Sequence, residues 1–188
     1  MQPLMLLTNH LLIAMPKLAD PYFFRSVTYI FEHSEKGAMG IVINQPILNI
    51  SLGNIFEEMH IVCDIQEIKK RSVLSGGPVR QERGFVLHNK GSVWKSTVDI
   101  SDTISVTTSP DILDAIAHNQ GPPKTLFALG YASWQKGQLE KELLQNAWLY
   151  GEATPKILFD TPYQDRWRLA AKTMGIDITN ISDDIGHA

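Results

Sequence analysis

Apolar residues run along this chain in two rhythms, and the change from one to the other divides strands from helices. Leu11-Leu12-Ile13-Ala14-Met15 is a short continuous run that stops at Pro16, with a turn at Asp20-Pro21, and it predicts a buried strand. Val27-Thr28-Tyr29-Ile30-Phe31 has the β-branched and aromatic residues that strands favour. Residues 39–44 predict its partner, the two forming an antiparallel hairpin over a four-residue loop, Ser34-Glu35-Lys36-Gly37. A polar, basic link then reaches Val73-Leu74, and further strands are predicted at 84–88, after the tight turn Ser75-Gly76-Gly77-Pro78, and at 126–132. Ile104-Ser105-Val106-Thr107 alternates as a half-buried strand does.

Elsewhere the period lengthens. Leu52, Ile55, Phe56 and Met59 mark one face of a short helix capped by Ser51. Ser109-Pro110 predicts a cap and first-turn proline, with Ile112, Leu113, Ile116 and Ala117 inward and an end by Gly121-Pro122-Pro123. Residues 138–146 read as a helix with Leu139, Leu143 and Leu144 inward and Glu140, Lys141 and Glu142 mostly outward. The clearest helix opens at Thr161-Pro162-Tyr163-Gln164, carries Tyr163, Trp167, Ala170, Ala171 and Met174 on one face, and ends at Gly175. No repeat or composition break interrupts the series, so the expectation is one domain of mixed α and β structure over residues 1–188.

Composition narrows the class. A chain 44% hydrophobic and 20% charged is ordinary for a globular protein, and 188 residues build a core without staples. Cys63 is the single cysteine, which excludes an internal disulfide and a cysteine-based zinc cluster and favours the cytoplasm. The apolar start lacks preceding basic residues and is broken by Asn9 and His10, and no run approaches the roughly 20 residues of a membrane span. The expectation is a protein neither secreted nor membrane-spanning. Net charge is −3, yet the segment from Lys69 to Lys95 holds seven basic residues against Glu82, a net +6, while the segment from Ile176 onward is acidic through Asp177, Asp183 and Asp184. A basic segment attracts phosphate, but without a domain-wide positive excess it reads as solvated surface.

The motifs, taken in order, resemble the bacterial AlgH/YqgE family. They are Leu12-Ile13-Ala14-Met15-Pro16, Val27-Thr28-Tyr29-Ile30-Phe31-Glu32-His33, Gly37-Ala38-Met39-Gly40-Ile41-Val42-Ile43-Asn44-Gln45-Pro46 and Gly76-Gly77-Pro78-Val79. Gly84-Phe85-Val86-Leu87-His88, Gly130-Tyr131-Ala132 leading into Trp134 and Gly137-Gln138-Leu139-Glu140-Lys141-Glu142, Asn146-Ala147-Trp148-Leu149 and Arg166-Trp167 complete the series. The resemblance implies an α+β fold whose bent, mainly antiparallel sheet forms a partial barrel flanked by helices. It also implies a largely uncharacterised function; some members have been regarded as transcriptional regulators without a recognised DNA-binding motif. Ser133 stands where the family pattern usually has glycine, which argues against a strained or phosphate-cradling turn there.

Candidate chemistry gathers at strand ends. His33 and His88 each end a predicted strand; converging with Glu32 or Glu140, they would form a metal site or an acid/base pair. Anchoring loop backbone is the plainer role, and neither His-Glu-x-x-His nor His-x-His is present. His33-Ser34-Glu35 echoes the deaminase His-x-Glu, but the required Pro-Cys-x-x-Cys is missing. Gly76 and Gly77, followed by Arg80 and Arg83, offer N–H groups and guanidinium forks to an anion, or else form a simple glycine turn. Gln138 opens a helix where amide groups bind polar ligands. Glu140 and Glu142, two apart on a helix, diverge by about 200° and cannot pair on one face; at least one is expected to have a structural partner, such as an arginine. Trp134, Trp148 and Trp167 read as core or interface aromatics, and Trp94 as more exposed, beside Lys90 and Lys95.

No catalytic constellation is complete, and no cofactor motif or metal site is expected. The leading expectation is a non-enzymatic regulatory or interaction protein acting through a protein partner or small ligand. Direct DNA binding is weakly supported, since no recognition helix is evident. The alternative is a small enzyme or ligand-binding protein with a strand-end pocket built from His33, Asn44, Gly76, Gly77, His88 and Gln138.

Overall fold

The computed structural model describes residues 6–181; the first residues of the apolar start and the acidic pair Asp183 and Asp184 lie outside them. Ten strands form a mostly antiparallel sheet curled into a half-barrel, with helices packed around it. In chain order they are β1 (His10–Ala14), β2 (Val27–Ser34), β3 (Gly37–Val42), β4 (Pro46–Ser51), β5 (Ser72–Ser75), β6 (Val79–Asn89), β7 (Thr97–Asp99), β8 (Ile104–Thr107), β9 (Thr125–Gln135) and β10 (Trp148–Glu152). The main path runs β10-β1-β2-β3-β9-β6-β8-β7, with β5 joining β9 and β4 joining β5. The helices are α1 (Leu52–Glu58), α2 (Gln66–Lys69), α3 (Asp111–Ala117), α4 (Gln138–Leu144), α5 (Tyr163–Thr173) and α6 (Ile178–Ile181), and a π-helical turn (Lys156–Asp160) precedes α5. None is long and apolar enough to cross a membrane.

β9 organises the sheet. One of its edges pairs with β6; the other is shared, by parallel β5 at Phe127 to Leu129 and by antiparallel β3 at Ala132 to Gln135. The partner changes at Gly130, which has φ +77° and lies opposite a bulge of residues 80–83 in β6. There the Gly76-Gly77 turn crosses β9 at backbone contact. A Cβ on Gly77, itself at φ +152°, would sit 2.2 Å from the Tyr131 carbonyl carbon, and one on Gly76 2.3 Å from the Gly130 oxygen. Gly76 donates its N–H to the Leu129 carbonyl and accepts from Val42, stitching β3, β5 and β9 together (both 2.8 Å).

Both faces of the sheet are covered, which is why its strands read as unbroken apolar runs. On β1, Leu11 and Ile13 face the core beneath α5, while Leu12 and Ala14 join Trp134, Trp148 and Leu139 beneath α4. On β6, Phe85 and Leu87 face the first core, and Val86 meets Ile112, Leu113 and Ile116 of α3 with Phe56 of α1.

Several expectations need correction. The β2–β3 hairpin has a two-residue loop, because Ser34 and Gly37 themselves pair. β8 is buried on both faces: Ser105 donates to Asp99 (2.7 Å), and Thr107 bonds His88. Leu144 points to solvent at 85% exposure, one residue past the α4 face that buries Leu139. Ser109 and Thr161 do not cap: the Ser109 hydroxyl accepts from the Ser96 N–H, and Thr161 donates to the Lys156 carbonyl across the π-helical turn. Trp94 is half-buried, edge-on to His88 at 5.3 Å. Ser133 lies in continuous strand opposite Met39, with no positive φ.

The crossing makes Gly77 intolerant of any side chain, since the obstructing atoms are backbone. Gly77→Ala is expected to cost about 2–4 kcal/mol in urea unfolding. A loss under about 1 kcal/mol would mean that the backbones do not approach this closely.

Candidate functional site

The strand-end residues singled out by sequence do not share one site. His33 lies next to the β2–β3 turn, whose strand pairs with β9 near Trp134, whereas His88 pairs with Thr125 at the other end of β9. About 30 Å of strand separates the two ends.

At the first end, β2 and α4 bring His33 and Glu140 together. His33 is buried, and its Nδ1 accepts the Leu7 N–H (3.0 Å), so the ring proton resides on Nε2 and is donated to Glu140 Oε1 (2.8 Å). Its backbone N–H donates to Thr8 Oγ1 (3.1 Å). The imidazole thus ties the segment before β1 to α4. One turn of α4 supplies two divergent carboxylates, as their spacing predicts. Glu142 accepts the indole N–H groups of Trp134 (2.9 Å) and Trp148 (2.8 Å) on Oε2 and the Gln138 amide (2.9 Å) on Oε1. The partners of the pair are a histidine, two indoles and an amide, not an arginine. Gln138 also accepts the Gln135 N–H (3.0 Å), which fixes the β9–α4 corner.

At the other end, His88 is fully buried in a polar relay. The Trp94 N–H donates to Thr97 Oγ1 (2.9 Å), Thr97 meets Thr107 (2.8 Å), and Thr107 meets His88 Nε2 (2.8 Å). His88 Nδ1 then donates to the Asn89 carbonyl (2.9 Å). In the neutral ring that burial favours, Nδ1 as donor leaves Nε2 to accept from Thr107, which gives the relay one proton direction. Burial holds the His88 pKa below its ordinary value, against the opposing pull of the Asn89 carbonyl and the Asp99 charge.

Asn44 and the two glycines also serve the fold. Asn44 accepts the Val27 N–H (2.8 Å) and donates to the Arg25 carbonyl (2.9 Å). Gly76 and Gly77 press against β9, and the Gly76 N–H is already given to Leu129. Arg80 and Arg83 lie exposed on the β6 bulge, and Arg83 folds over the Phe85 ring at 5.4 Å. Among the described residues, no group of three or more His, Cys, Asp or Glu could hold a metal ion.

Open space lies instead on the flanks of β6. A cleft of about 490 Å³ runs between α1, α3 and β6, walled by Ile55, Met59, Val86, Leu113 and Phe127 and rimmed by Glu58 and Glu82. On the opposite face a cleft of about 270 Å³ includes Phe31, Glu32, Arg83, Phe85 and Tyr131. Sequence reasoning missed both, and also missed Arg166, a 4% exposed guanidinium on the inner face of α5. Its i−3 and i+4 relation to Tyr163 and Ala170 was the available signal.

Comparison with known proteins agrees with this architecture. Residues 11–179 match the model of the AlgH-like family, DUF179. A UPF0301 protein of Proteus mirabilis is 51% identical over 185 residues, covering 97% of this chain and 99% of its own. Another from Nitrosococcus oceani is 51% identical over 180 residues, covering 96% of each. The solution structure of the AlgH protein from Pseudomonas aeruginosa superposes with TM-score 0.79 at 42% identity, over 100% of this chain and 99% of that one. Protein DIP2367 from Corynebacterium diphtheriae shares the fold at TM-score 0.72 and 20% identity, over 93% and 90%.

Two substitutions test the networks. Glu142→Leu strands two buried indole N–H groups and is expected to cost about 2–3 kcal/mol, with Glu142→Gln much milder; equal stabilities in denaturant would refute the shared acceptor. For His88 the folded pKa is lowered, so the unfolded chain binds its proton first as pH falls. The His88 contribution is therefore complete above the ordinary value of 6.5 and declines as pH drops below it toward the folded pKa. Stability of the wild type should fall more steeply between pH 7 and 5 than that of His88→Gln, as chemical unfolding at each pH would reveal.

Proposed function

This chain belongs to the AlgH-like family, and we propose that it acts without catalysis, as a regulatory or interaction protein that binds a small ligand or partner segment in the α1–α3–β6 cleft. One observation carries the reading: the polar strand-end side chains are spent on the fold, while the α1–α3–β6 cleft is mainly apolar. His33, Asn44, His88, Gln138 and Glu142 each direct their polar atoms to backbone or to other side chains of the fold. The cleft walls suit an apolar body, and Glu58 and Glu82 at the rim suit a cationic group on it.

Regulation through direct contact with duplex DNA has less support. The basic residues of the Lys69 to Lys95 segment are spread over the end of α2, the approach to β5, the β6 bulge and the loop after β6; Lys90 is paired with Asp99 (3.0 Å), and Arg83 is stacked on Phe85. They form no continuous track for phosphates. A cytoplasmic setting accords with the unpaired Cys63.

The test is a thermal-unfolding screen against metabolites and short basic amphipathic peptides. A ligand at 100 times its dissociation constant adds about 2.7 kcal/mol, which raises the midpoint by roughly 5–10 °C at this length. The expected hit is abolished by the exposed double change Glu58→Lys with Glu82→Lys. Turnover of any panel compound, or sequence-selective duplex binding near physiological salt, would overturn the proposal.

A further inference from the structure

A third cleft, of about 210 Å³, lies between β5, the start of β9, α3 and the first turn of α5, and shares Phe127 with the α1–α3–β6 cleft. Its charge sets it apart. The larger clefts each contain a glutamate, whereas this one is lined by Arg71 and Arg166, the hydroxyl residues Ser72, Thr125 and Tyr163, and an apolar floor that includes Phe127.

Arg166 is the unusual member. It is 4% exposed, and its Nε and Nη1 donate to the carbonyls of Thr161 (2.9 Å) and Ile43. Both partners are neutral, and among the described residues no carboxylate pairs with it. Burial lowers its pKa to about 10, so it stays cationic at neutral pH. A buried cation is ordinarily paired. The carbonyls orient this one and take two of its five N–H groups, leaving the charge itself uncompensated. Arg71 at the mouth reaches toward Thr125 Oγ1 (3.4 Å), which places a second guanidinium over the same opening.

We propose that this cleft binds a small phosphate monoester, its dianion between Arg71 and Arg166 and its organic body against the Phe127 side. Two guanidinium groups match a charge near −2, and the hydroxyls add donors beyond what the two oxygens of a carboxylate would use.

The test titrates the full chain with phenyl phosphate, inorganic phosphate and phenylacetate at matched ionic strength, following backbone amide shifts. Saturable shifts are expected at Ser72, Thr125 and Tyr163. Phenyl phosphate should bind more tightly than inorganic phosphate, and phenylacetate at least about tenfold more weakly than phenyl phosphate. Arg166→Met carries a risk of unfolding, so the decisive variant is Arg71→Ala at an exposed position. It should weaken phenyl phosphate about tenfold while leaving the unliganded melting temperature unchanged. The proposal is overturned by an absence of saturable shifts up to about 10 mM, by equal binding of phenylacetate, or by an Arg71→Ala variant that binds as the wild type does.

Discussion

The fold turns on a backbone crossing at which no side chain is admitted. Where the Gly76-Gly77 turn meets Gly130-Tyr131, β9 exchanges one neighbour for another, and its long edge carries parallel β5 on one side of the kink and antiparallel β3 on the other. A sheet whose central strand changes partners at a left-handed glycine cannot stay flat, and this one curls. The same kink faces the four-residue bulge of β6, so the strand that separates the two larger clefts is shaped by it as well.

Curling the sheet buries strand ends that would otherwise meet water, and the polar chemistry of the molecule answers that demand. His33 bridges the segment before β1 to α4; the His88 relay closes the β6–β8 end; Glu142 satisfies two indoles that would be costly to bury alone. These arrangements have the residue types of an active site. Each ring nitrogen of the two histidines already has a partner, however, so neither imidazole offers a free nitrogen to an opening. Open space is found instead in the clefts beside β6 and α5, where apolar walls meet a small number of charges. Glu58 and Glu82 on one and Arg71 with Arg166 on the other give the two openings opposite preferences.

Much of this was legible in the residues alone. The short apolar runs located β1, β2, β3, β6, β8 and β9, the 3.6 period located α1, α3, α4 and α5, and the ordered motifs identified the family and with it the bent sheet. Even the divergence of Glu140 and Glu142 followed from helical spacing. β4, β7 and β10 were not legible because they are edge strands with exposed or mixed faces, and α2 and α6 span a single turn. Their stability comes from neighbours rather than from their own pattern.

Tertiary structure alone decided which polar residues were free. In one dimension His33, Asn44, Gly77, His88 and Gln138 look like a strand-end pocket, because strand ends are where pockets form. In three dimensions the strand register sets the histidines at opposite ends of β9, and His33, Asn44 and His88 each find a partner far along the chain. Arg166 shows the converse: within its helix it is one more polar residue, and its lack of a carboxylate emerges only once Ile43 and Thr161 close around it. Sequence determines periodicity and residue type, which are local. Pairing across long separations, and the desolvation that makes an unpaired charge consequential, exist only after the chain has folded.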